Sequence, residues 1–184
     1  MSLTLLVVSV YGCTVSSIKE THHQCTGTND LPTEYTEVFE ETVDESLLSR
    51  AVGDVNKGGL CQGKVYVAKN NVTIPVYRAW NSADPSSRLG KWWAFNLPDG
   101  KIAQYRNDYE ICHEFSPLDK LIRCNLKANA KIVIGTGQSM KCDSHLTYHA
   151  SAVRQIYIEI DEKSPAVTDC KEYDGQFSWK PRAD

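Results

Sequence analysis

Val153-Arg154-Gln155-Ile156-Tyr157-Ile158-Glu159-Ile160 alternates with a period of two. Val153, Gln155, Tyr157 and Glu159 share one face, and Arg154, Ile156, Ile158 and Ile160 share the other, which is the pattern of a β-strand. Working outward, Leu121–Leu126 and Lys131–Ile134 read as strands joined by a tight turn at Ala128-Asn129. Val65 and Val67 mark another strand, Ile74–Trp80 a further one, and Trp92–Phe95 a short one closed by Pro98-Asp99-Gly100. Tyr35–Val52 has apolar residues at helical spacing (Tyr35, Val38, Phe39, Val43, Leu47, Leu48), with Thr33 or Thr36 as cap and Gly53 as stop. Lys101–Ile111 is expected to form a shorter helix through Ile102, Tyr105 and Tyr109. One N-terminal helix followed by non-local strands predicts an α+β fold with small mixed or antiparallel sheets. Strands and helices do not alternate at the intervals of a doubly wound sheet.

The chain has 184 residues, the size of one domain with a real core. Residues 30–54 carry eight acidic side chains against Arg50 alone, which reads as a solvated helix face interrupted by apolar residues. The rest is mildly basic without a Lys/Arg stripe, so nucleic acid is not expected as a partner. Met1–Val10 is apolar and followed by small residues, so residues 1–17 are read as a secretory leader, too short to span a bilayer, and residues 18–184 as the domain. The basic start of such a leader is missing, and a buried first strand is the alternative. Without Cys13 six cysteines remain: Cys25, Cys61, Cys112, Cys124, Cys142 and Cys170. An even, dispersed set predicts a disulfide framework and a secreted, extracellular protein, with the pairing open. Asn71-Val72-Thr73 is a glycosylation sequon.

Several residues are costly for a small core and therefore candidates for function. Arg78 sits among apolar neighbours, and its planar fork of donors suits phosphate oxygens; an edge arginine with its head in water is the alternative. Trp92 and Trp93 place rings on opposite faces of a strand, with Phe95 nearby, so one ring can pack inside while another stacks on a flat ligand. Gln155 can donate and accept at once, as gripping a ribose hydroxyl or a water requires; a glutamine facing solvent between polar neighbours is the equal alternative. Gly135–Ser139 reads as a plain turn. Cys142, His145 and His149 have zinc-like spacing, but Cys142 is assigned to a disulfide and no metal is expected. Glu110 and Glu114 read as part of a solvated face.

The order of these pieces, from Val76 to Ile158, resembles the ADP-ribosyltransferase-like secreted toxin domains and the NAD glycohydrolases of the tuberculosis necrotizing toxin type. The resemblance implies an ADP-ribosyltransferase-like domain that cleaves the nicotinamide–ribose bond of NAD, which is substrate rather than cofactor. By position, Arg78 would hold the NAD phosphates, Trp92, Trp93 or Phe95 would flank nicotinamide, and Gln155 would contact the ribose. Arg106 would assist Arg78, with Glu159 in reserve for charge stabilisation. Trp93-Ala94-Phe95 replaces the family's Ser-Thr-Ser run, and Tyr157 stands where a glutamate is expected. Transfer to an arginine acceptor is thereby not implied, hydrolysis with water as acceptor stays open, and a protein acceptor is the other partner the resemblance allows. The alternative is a non-enzymatic, disulfide-rich binding or structural protein.

Overall fold

The computed structural model describes residues 25–70, 72–159 and 165–174. The leader at 1–17, Asn71 of the sequon, Ile160 and the aromatic pair Phe177/Trp179 lie outside these residues.

The architecture is α+β, built mostly of antiparallel strands with few helices and three disulfides. One sheet has five strands in the order β1 (Phe39–Thr42), β2 (Leu60–Ala68), β6 (Lys131–Gly137), β9 (Arg154–Ile158) and β4 (Trp92–Trp93). A second has three, β10 (Val167–Asp174), β5 (Lys120–Leu126) and β3 (Ile74–Trp80). A two-stranded ribbon pairs β7 (Met140–Lys141) with β8 (Thr147–Tyr148). The main core is the layer between the two larger sheets. Ile132, Ile134, Ile156, Ile158 and Trp93 of the first meet Ile74, Val76, Trp80, Ile122, Cys124 and Leu126 of the second. The other face of the five-stranded sheet, with Val65, Val133 and Tyr157, is covered by Leu47 and Ala51 of helix α1 (Glu45–Ala51).

The long N-terminal helix is corrected. Tyr35 to Val52 divides into a 3-10 turn (Thr33–Tyr35), strand β1 and the short α1. Phe39 and Tyr35 do pack inward, Tyr35 stacking on Phe95 at 4.1 Å between centroids. Pairing of Phe39 with Ala68 and of Thr42 with Val65 gives this segment's backbone better partners than a helix would. The acidic Glu40 and Glu41 then lie on an edge strand, where charge discourages further pairing. Asp44 caps α1, accepting from the Leu47 amide at 3.0 Å. The second helix forms as α2 (Ile102–Asp108).

β5 and β6 form as expected but do not pair with each other. β5 lies between β10 and β3, β6 between β2 and β9, so the Ala128-Asn129 turn carries the chain from one sheet to the other. Gly135 is no turn either; it belongs to β6, and a Cβ there would meet the Gln62 carbonyl oxygen at 1.9 Å. All six expected cysteines are bonded, as Cys25–Cys61, Cys112–Cys142 and Cys124–Cys170. Such a framework belongs to an oxidising compartment. No helix among the described residues is long and apolar enough to cross a membrane.

Candidate active site

A cavity of about 280 Å³ opens where the end of the core layer meets the loop after α2. Arg78 and Trp80 of β3, Trp92 and Trp93 of β4, and Gln155 of β9 all line it. Tyr105, Tyr109, Glu110 and Phe115 close one side, and Lys57, Gly58, Gly59 and Met140 another. A guanidinium, an indole and a carboxamide remote in sequence therefore share one wall-to-wall space.

Arg78 occupies an inward place in the row Ile74, Val76, Arg78, Trp80. Its Nε donates to the Ser87 carbonyl oxygen at 2.8 Å and its Nη1 to that of Trp92 at 2.8 Å. No carboxylate among the described residues pairs with it. Burial pushes its pKa down, so an anion arriving in the cavity would meet a positive charge that water screens poorly. Gly90 admits the guanidinium: a Cβ there would stand 2.4 Å from Nη2.

The tandem tryptophans part as the strand geometry requires. Trp93 is 2% exposed in the main core, and its indole N–H is bonded to the Gly90 carbonyl oxygen at 2.7 Å. Trp92 is half-buried on the opposite face, edge-on to Tyr157 with centroids 5.0 Å apart. Of the two, Trp92 is the more exposed, and its carbonyl oxygen is the atom that Arg78 Nη1 holds.

Gln155 is buried, and its Nε2 donates to Oε2 of Glu110 at 2.5 Å. Glu110 is therefore not part of a solvated face; it is 6% exposed, while Glu114 remains outside. Glu110 follows the α2 cap with φ +49°, a left-handed conformation that glycine or asparagine usually fills at a helix end. That turn swings the side chain onto Gly137, whose absent Cβ would lie 2.0 Å from the carboxylate. Desolvation raises the Glu110 pKa to about 8, against the opposing hydrogen bonds from Gln155 and the Ser151 amide. Glu110 Oε1 and the indole nitrogen of Trp80 are buried with no hydrogen-bond partner among the described residues, and both belong to residues of the cavity wall. Buried polar atoms are rarely left unpaired, and these two are the ones that belong to cavity-wall residues.

Three candidates lie elsewhere. Phe95 is core, packed on Tyr35 and Phe39. Arg106 is 4% exposed and donates to the carbonyl oxygens of Ile111, Cys112 and Ser116, so it clamps the loop that carries Glu110 and does not line this cavity. Glu159 is paired with Arg50 at 2.8 Å and Lys91 at 3.0 Å, which hold its pKa down to about 2. Cys112, Glu114 and Cys142 come close together, but the two cysteines form a disulfide and are not ligands. Glu110 could not be picked from local sequence; the glycines of Gly135-Thr136-Gly137 were the available signal, since glycine inside a strand marks a close approach. No protein-family model, curated protein or solved structure matches the chain.

Proposed function

We propose that this protein is a secreted enzyme that hydrolyses the nicotinamide–ribose bond of NAD. The observation that carries the reading is the cavity shared by an arginine without a counter-charge, a half-buried tryptophan and a buried Gln–Glu pair. Arg78 supplies the positive end for the pyrophosphate, and Trp92 a face for the pyridinium ring. About 280 Å³ suits the nicotinamide riboside half, with the adenosine half reaching outward.

The chemistry asks little of the protein. Nicotinamide leaves as a neutral base with the electrons of the glycosidic bond, so no acid need protonate it. The ribose passes through an oxocarbenium-like transition state, as in glycoside hydrolysis. Water adds to the anomeric carbon and loses its proton to solvent, giving ADP-ribose. Gln155 orients the water or a ribose hydroxyl, and the site gains rate through positioning and fixed dipoles. An ADP-ribosyltransferase-like fold and a protein acceptor in place of water belong to the same reading as its transferase form.

One observation favours a second reading. The two carbonyl oxygens that Arg78 holds tie β3 to the Pro85–Leu89 turn and to β4, which is the work of a structural strut in a disulfide-stapled binding protein. Nicotinamide release from NAD by the purified, oxidised protein decides between them. Release that falls at least about a hundredfold in Gln155→Ala and Trp92→Ala supports the enzyme. Absence of release, or full activity in both variants, rules it out.

A further inference from the structure

We propose that Glu110 is a positioning residue: its carboxylate accepts the amide of Gln155 and so turns the Gln155 carbonyl oxygen into the cavity as the acceptor for the attacking water or a ribose hydroxyl. The catalytic consequence rests on the NAD reading above; the positioning itself does not.

A carboxamide is nearly symmetric in shape but not in chemistry. Half a turn about its last bond exchanges donor for acceptor, and only its neighbours select between them. Gln155 makes a single side-chain hydrogen bond among the described residues, the one at 2.5 Å from Nε2 to Glu110 Oε2. An ionised carboxylate can only accept, so that contact fixes Nε2 toward Glu110 and leaves Oε1 for the cavity. A protonated carboxyl can also donate, and then it tolerates the reversed amide.

The surroundings hold Glu110 for this task. Its side chain rests on bare backbone at Gly137, where any larger residue would displace it. The loop behind it is fixed by the three bonds from Arg106 and by the Cys112–Cys142 disulfide. The titratable and charged groups about the carboxyl are Asp108 and Tyr109 on its own segment, and Tyr105, Lys57 and Arg78 in the cavity wall. Burial raises the Tyr109 pKa to about 12, that of Tyr105 higher still, and Lys57 is paired with Asp54 outside. The ionisation of Glu110 near pH 8 is thus the event that selects the amide orientation.

The test combines turnover with a signal independent of turnover. In the wild type, kcat for NAD hydrolysis rises by about tenfold between pH 6.5 and 9 while KM stays constant. Glu110→Leu lowers kcat by at least about tenfold at pH 9 with KM unchanged, and Glu110→Gln abolishes the pH dependence. A flat or falling wild-type profile, or Glu110→Leu within about twofold of wild type, overturns the proposal. In ¹⁵N spectra of the wild type, the Gln155 side-chain amide titrates with a midpoint near pH 8, and in Glu110→Gln it does not. An amide indifferent to pH in the wild type also overturns the proposal. If the protein releases no nicotinamide at any pH, the NAD reading fails, and the amide titration alone decides the role of Glu110.

Discussion

Replacing Glu110 by glutamine should make the protein more stable at alkaline pH and leave it unchanged in acid. The carboxyl rises from an ordinary 4.5 to about 8 on folding, because burial against Gly137 and Tyr109 penalises its charge. The sign follows from proton counting. A folded state that binds the proton more tightly has its full stability below pH 4.5, loses it progressively as pH rises, and is level again above 8. At about 1.4 kcal/mol for each tenfold in proton affinity, the whole interval corresponds to about 5 kcal/mol as a ceiling, reduced by whatever water reaches the charged form. Glutamine keeps the shape and an acceptor for Gln155 but never ionises. Urea unfolding with disulfides intact, at pH 5 and pH 9, reads the difference. Glu110→Gln and wild type should coincide within about 1 kcal/mol at pH 5, and the variant should exceed wild type by about 2–5 kcal/mol at pH 9. Equal differences at both pH values would show that Glu110 ionises freely, and the buried pair would lose its basis.

Three further perturbations probe the support of the site. Gly137→Ala forces a methyl into the carboxylate of Glu110, so it should cost about 1–3 kcal/mol by urea unfolding and reduce NAD turnover as strongly as Glu110→Leu does. Removing Cys112–Cys142, which closes 30 residues, should cost about 3–4 kcal/mol on the chain-entropy account; activity should fall further than for loss of Cys25–Cys61, because Cys112 belongs to the loop that carries Glu110 and neither Cys25 nor Cys61 does. Arg106→Met strips three carbonyls of their buried donor and should cost about 3 kcal/mol by thermal unfolding, with KM for NAD nearly unchanged in the folded fraction.

The parts of the molecule that were legible in the sequence are those where one residue's pattern repeats in its neighbours. The alternation in Val153–Ile160 and Ile74–Trp80 gave strands, and the even cysteine set gave three disulfides. Tyr35–Val52 misled because Tyr35, Phe39 and Val43 keep helical spacing by coincidence; Phe39 faces the core from a strand, and Val43 is 79% exposed. Local pattern contains nothing of β2's edge, which is what draws Phe39–Thr42 into a sheet. The site divides the same way. Arg78, Trp92 and Gln155 stand out as expensive residues in apolar strands, and they do line one cavity. Arg106 carries the same charge in a similar setting, but its three carbonyl partners lie within ten residues and make it a loop clamp. Glu110 sits 45 residues from Gln155, and its burial depends on missing side chains at Gly137, a long-range fact that helical spacing to Glu114 obscures.

The central claim, that one cavity receives the nicotinamide riboside portion of NAD, is tested most directly by side-chain ¹⁵N spectra during titration with nicotinamide and ADP-ribose together. The indole signals of Trp80 and Trp92, the Arg78 Nε–H and the Gln155 amide should move in concert and saturate, while the Arg106 side chain, which lies outside the cavity, should barely shift. Saturating shifts confined to residues outside that cavity, or no shift at millimolar ligand, would contradict the account.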